Sequence, residues 1–274
     1  MQELLHHPAV QGGLVPFGVA LLAAVLLQPL RLSGLAVILG FAATVYLDNG
    51  FSLDFSSLKT FQKIVWLGSV AALAAIPLAL FNAAWIRPLL TAAGGASALW
   101  VAERILQQHQ LAQMFLWGAG IALYAGWLVF WMDKLGEQPV RAGSAGLALG
   151  LGTGLAVLFG GYASLGLYGV ALGAAAGAYV LIQMITNSRL PCGYTFTLPL
   201  ALLAGLAGSY AVLSVKLPWY ALLPLAAIPL AAKIIPVSEK VALWLQSTLL
   251  SAATLACAAG AVFLTWRVAG APPF

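Results

Sequence analysis

Charge is what this chain has least of. Asp, Glu, Lys and Arg make up 7% of its 274 residues and hydrophobic residues 62%; a typical soluble domain carries roughly 25% charged residues. That balance excludes a soluble fold. Only seven acidic residues exist: Glu3, Asp48, Asp54, Glu103, Asp133, Glu137 and Glu239. Asp48 and Asp54 are not joined by a second acidic cluster. This rules out the clustered aspartates with which membrane prenyl transferases and alcohol phosphotransferases hold magnesium against pyrophosphate.

Histidine is equally scarce. His6, His7 and His109 offer no pair of axial ligands on facing helices, which argues against a b-type haem, and the absence of HExxH argues against an intramembrane metalloprotease. Two cysteines are present, Cys192 in a predicted loop and Cys257 deep in the last apolar segment. They differ in predicted depth and neither belongs to a CxxC, so disulfide, zinc and iron–sulfur readings lack support. No cofactor or metal is expected, and an enzyme is disfavoured. The net charge of +5 is scattered, with no basic run to suggest nucleic acid. No Lys or Arg precedes the first apolar run, so the basic region of a secretory signal is missing and the first span is expected to be retained.

What is abundant is apolar sequence in segments of membrane-spanning length. Ten are read, at about 13–30, 33–47, 62–80, 87–106, 111–131, 143–160, 162–186, 196–215, 218–235 and 241–266. A span needs ~20 apolar residues, so ten spans leave room only for short loops. The fold expected is an all-α polytopic integral membrane protein of about ten transmembrane helices. Eight or nine remain open if the first hairpin, turning at Gln28-Pro29-Leu30-Arg31, is re-entrant, or if the proline-rich ninth segment fails to cross. The chain reads as one membrane-embedded domain, 1–274. Ala74–Ala79 recurs as Ala226–Ala231, a short echo that allows pseudo-repeat halves at about 1–135 and 140–274. Trp85, Trp131, Trp219, Trp244 and Trp266 fall near segment ends, where amphipathic rings favour the headgroups. Trp66, Trp100, Trp117 and Trp127 fall further inside.

The stretch from Gly143 to Asn187 carries two glycine ladders, Gly146-Gly150-Gly154 and Gly169-Gly173-Gly177. Residues four apart share a helix face. In a soluble helix each glycine would cost about 1 kcal/mol relative to alanine; within a bilayer, small residues at this spacing let two backbones approach closely. The ladders predict two helices meeting neighbours face to face. Pro224 and Pro229 in the ninth segment remove backbone donors and predict a kink or break. In the loop from Asp48 to Thr60 and just after it, the near-helical spacing of Phe51, Phe55, Leu58, Phe61 and Val65 allows a short interfacial amphipathic helix before the third span.

Two polar groupings are candidates for function. Glu103, Arg104, Gln107 and His109 lie at the end of the fourth segment, and an ionisable group inside the bilayer would be a coupling candidate; if the segment ends earlier, they form a wet turn. Tyr179, Gln183, Asn187 and Arg189 leave the seventh segment, the first three on one face, as a candidate cavity mouth. With ten spans, Arg31, Arg87, Lys134, Arg141, Arg189, Lys233 and Lys240 collect on one side, and Lys59, Lys63, Arg104, Lys216 and Arg267 on the other. This slightly favours both termini outside.

Many short-looped spans, proline-bearing and glycine-packed helices, and no soluble domain point to a permease or secondary transporter for a small solute. The competing expectation is a non-catalytic membrane subunit that scaffolds or anchors a larger complex, because charge for ion coupling is so scarce. The expected surroundings are the lipid bilayer of a bacterial cytoplasmic (inner) membrane, crossed many times. The expected partners are a small solute or other membrane subunits, in a homo-oligomer or a hetero-complex.

Overall fold

The computed structural model describes residues 7–49, 60–79, 85–215, 217–238 and 241–270; the candidate interfacial helix at 51–59 lies outside them. The protein is an all-α polytopic membrane protein, with ten helices and no strand among the described residues. Helix α1 spans Val10–Leu27 and opens on a π turn; a 3-10 turn at Ser33–Leu35 leads into α2, Ala36–Asn49. Then come α3 (Thr60–Leu78), α4 (Ile86–Leu106), α5 (Leu111–Asp133), α6 (Pro139–Phe159), α7 (Ala163–Thr186) and α8 (Gly193–Ser214). A 3-10 turn at Trp219–Ala221 precedes α9, Leu222–Ile234, and α10 spans Leu243–Ala269. Each apolar segment of the sequence thus holds one helix.

Eight of these helices are long and apolar enough to cross a membrane; α2 and α9 are shorter. Of the two, α2 travels from one end of the bundle to the other, while α9 begins partway along it, level with about Leu123 of α5. Ser33, just ahead of α2, donates to the carbonyl of Pro191 beyond the end of α7, while Asp48 in its last turn accepts from Tyr168 near the start of α7. Helix α9 runs parallel to α5, with Trp127 donating to the carbonyl of Ala226 and Lys233 to that of Lys134. Successive helices are therefore antiparallel. Both described chain ends share one face of the bundle, here the terminal face, and the 134–138, 187–192 and 235–242 connectors share the opposite face.

The core is α6, α7 and α8, the most completely buried spans. Helices α6 and α7 form the most extensively packed pair, and the reason is the absence of side chains between them. A Cβ on Gly150 would strike the backbone of Gly173, one on Gly154 the backbone of Gly169 and Val170, and one on Gly173 would lie 2.5 Å from the Leu151 nitrogen. The outer rungs do otherwise. Gly146 turns toward Phe196 and Leu200 of α8, and Gly177 approaches only Leu147. A further glycine, Gly152, admits Ala258 of α10 and Leu225 of α9. Helix α6 thus uses different glycines to meet four neighbours, with Gly152 serving both α9 and α10. Ser144 joins α10 as well, through the Ser251 hydroxyl at 3.1 Å and a bond from Thr254 to its carbonyl at 3.1 Å.

Proline acts at the ends of α9 more than in its middle. Pro224 sits in the first turn, where a missing N–H leaves no bond broken. Pro229 is carried inside the helix, and the chain leaves helical geometry only at Ile235.

Leucine at the middle rungs should force α6 and α7 apart. We expect Gly150→Leu or Gly173→Leu to cost at least about 1–3 kcal/mol, the scale of an overpacked core, and to lower the monodisperse yield in mild detergent. Leucine at the exposed Ala119 of α5 should be tolerated. Equal yields from the two kinds of variant would contradict this account of the core.

Candidate functional site

The opposite face gathers most of the charge among the described residues. Arg31, Arg87, Lys134, Arg141, Arg189 and Lys233 lie there, six of the nine described basic residues. Arg87, opening α4, meets Asp133 at 3.0 Å and Glu137 at 3.9 Å at the end of α5 and in the loop after it. Arg141, in the first turn of α6, donates through Nη1 to the carbonyls of Ala232, Lys233 and Ile235, the last at 2.9 Å. Those carbonyls belong to the end of α9, where no further turn satisfies them. A cation there also complements the negative end of the helix.

Between these groups lies a polar pocket of about 200 Å³, walled by Gln138, Arg141, Arg189, Lys233 and Gln246. The residues come from the start of α6, the connector after α7, the end of α9 and the first turn of α10. The sequence offers them as scattered interfacial cations, and no spacing within any one stretch signals that they share a cavity.

The candidate cavity-mouth residues divide. Tyr179 and Gln183 are completely buried. The Tyr179 hydroxyl donates to the Leu190 carbonyl at 2.8 Å and its ring meets Phe196 at 4.6 Å, so this side chain holds the α7–α8 connector down. Asn187 is exposed and ends α7 in the left-handed conformation, φ 46°, which asparagine tolerates better than most residues. Only Arg189 reaches the polar pocket.

The other candidates occupy the terminal face. Glu103, Arg104 and Gln107 are exposed at the end of α4, His109 is half-buried in the turn that follows, and Gln107 donates to Glu103 at 3.3 Å. Gly205 packs beside Ala125, and Gly126 beside Thr91. Counting along the antiparallel helices from these contacts puts Ser214, the last residue of α8, level with about Leu116, and Glu103 level with about Met114. The α4–α5 tip projects past the end of the core. Lys63 on α3, by contrast, is buried: its ammonium donates to the Trp100 carbonyl at 3.1 Å and lies 4.8 Å from the centre of that ring.

The interior and the exterior hold very different amounts of space. Where α2, α3, α6, α7 and α8 converge, a cavity of about 10 Å³ remains, lined by apolar side chains and Thr153. Three wider spaces are grooves between helices. One, about 660 Å³, is bounded by Trp117, Gly120, Leu123, Tyr124, Trp127 and Trp219. Another, about 570 Å³, separates α6 from the later turns of α10, and a third, about 450 Å³, separates α7 from its earlier turns. Tyr124 borders the first groove, but its hydroxyl is buried and faces Thr153 without hydrogen-bonding geometry; the buried Ser209 hydroxyl likewise has no partner among the described residues.

Cys192 closes the α7–α8 connector, its thiol donating to the Gly136 carbonyl at 2.7 Å. Burial pushes this thiol up from its ordinary 9.0 to about 12, and the thiolate is the reactive form. In a Cys257→Ser background, maleimide at pH 8 should leave Cys192 unmodified until the protein is unfolded in dodecyl sulfate. Reaction at the rate of a free thiol in mild detergent would mean that the connector stands open.

The chain matches no protein-family model, no curated protein and no solved structure, so its function must be read from the geometry above.

Proposed function

We propose that this chain is a non-catalytic membrane subunit that assembles with another membrane protein through its outer helix faces. The observation that carries this reading is where the space lies: about 10 Å³ at the convergence of the core helices, against about 660 Å³ in the groove between α5, α8 and α9. A solute path through the middle would have to part α6 from α7, whose backbones touch. A groove edged by Trp117, Trp127 and Trp219 suits a partner helix, since large aromatic side chains give much contact area for little lost conformational freedom. Leu111, Phe115, Leu116 and Leu123 extend the same apolar surface along α5 and are strongly exposed.

A permease remains the second reading, favoured by the unpartnered hydroxyls of Tyr124, Thr153 and Ser209, which a solute with polar groups would satisfy. Glu103 is not given a coupling role in either reading. It is exposed on a projecting turn and already accepts a bond from Gln107.

The two readings separate on isolation from the native membrane. A photoreactive residue in place of Leu123, in the groove, should form an adduct with one discrete protein, and the same residue in place of Leu22 on α1 should not. Gly120→Trp fills the groove at a position where an added Cβ meets open space; it should weaken copurification by about tenfold or more, the effect of one blocked hot spot. A chain that isolates alone, with adducts to lipid only, would overturn the subunit reading. So would a Glu103→Gln variant that loses proton-driven solute uptake in reconstituted vesicles.

A further inference from the structure

We propose that the polar pocket of the opposite face binds the phosphate of an anionic phospholipid, with an acyl chain of the same molecule lying in the adjoining groove between α7 and α10. This holds whether the chain is a subunit or a permease, and it concerns a different surface from the α5–α9 groove.

The first observation is the state of Arg141. All of its hydrogen bonds leave from Nη1, to carbonyls at the end of α9. The guanidinium is thereby fixed in place, while its Nε and Nη2 donors have no partner among the described residues. A planar fork held this way is matched to two oxygens of a phosphate. Arg189 and Lys233 stand in the same pocket wall, so three cations surround about 200 Å³. Among the described residues the one acid in that wall, Glu137, leans toward Arg87. Gln138 to Arg141 are the first turn of α6, so the positive end of that helix adds to the same field.

The second observation separates a lipid from a free anion. Gln246 and Leu250 of α10 line the polar pocket, while Ser247, Thr248, Ser251 and Ala252, on the neighbouring face of the same turns, line the apolar groove of about 450 Å³. Across that groove stand Gly177, Leu181 and Met184 of α7, and Met184 is five residues before Arg189. The cationic pocket therefore sits at the membrane face, at the head of a groove running into the bilayer. Such a pairing of basic pocket and interhelical groove fits an anionic phospholipid headgroup and its chain.

The test measures lipid retained by the full-length protein in mild detergent by native mass spectrometry. Phosphatidylglycerol, phosphatidylcholine and inorganic phosphate are titrated separately. Wild type should retain phosphatidylglycerol in preference to phosphatidylcholine and show no retention of millimolar inorganic phosphate. Arg189→Gln combined with Lys233→Gln should lower the affinity for phosphatidylglycerol about tenfold or more, because each interfacial basic residue contributes a several-fold factor. Ala252→Trp keeps every cation and fills the exposed groove wall; it should also weaken retention, which a headgroup-only site would not. Equal retention of the two lipids, or unchanged retention in the double variant, would overturn the proposal. Tight binding of inorganic phosphate, with no effect of Ala252→Trp, would overturn the lipid assignment in favour of a free-anion site. Because each arm reads lipid or phosphate, failure here is distinct from failure to find a protein partner.

Discussion

The backbone contact between α6 and α7 governs what the rest of the bundle can do. Lipid tails are as apolar as leucine, so helices in a bilayer gain little from hiding hydrophobic side chains and must gain instead from close packing. Gly150 and Gly154 against Gly169 and Gly173 let the two helices approach until main chain meets main chain. Once they do, α6 has its other faces free for α8, α9 and α10, and it marks each with a small residue: Gly146, Gly152 and Ser144. The remaining helices are arranged around this pair and α8. Beside this contact, where α2, α3 and α8 meet the pair, the cavity is only about 10 Å³.

A second constraint is the cost of an unsatisfied backbone group at the ends of short helices. Helix α9 is too short to end deep in water, and its last carbonyls are met by Arg141 from α6. The α7–α8 connector is handled in the same manner: Tyr179 bonds the Leu190 carbonyl, Ser33 that of Pro191, and Cys192 that of Gly136. Side chains from neighbouring helices thus fasten the opposite face, where connectors cross one another. This is also where the charges cluster. The residues that tie the ends down are the ones that shape the polar pocket.

Composition alone was enough to recognise a polytopic helical membrane protein, since no soluble fold tolerates so little charge, and ten apolar segments correspond to ten helices. The four-residue glycine spacing marked a packing face but could not tell that Gly146 serves α8 and Gly177 serves almost nothing, because periodicity identifies a face and not its neighbour. The polar pocket was not legible. Arg141, Arg189 and Lys233 lie on three separate stretches, and only the antiparallel course of α6, α7 and α9 brings them together. Tyr179 and Arg189 look like one trail in the sequence, yet one turns inward to bond a carbonyl and the other outward. Glu103 could not be placed by hydropathy alone, because the registers that set its level come from Gly205 against Ala125 and Thr91 against Gly126.

The order of the chain sets the order in which this fold can exist. Its core helices are sixth, seventh and eighth of ten, and α1 and α2 both pack on α7, which is made long after them. During synthesis the first five helices enter the bilayer before α7 and α8, and each of the five packs on one or both of these. The α6–α7 hairpin and α8, made after them, are what join the α1–α2 and α4–α5 pairs into a single body.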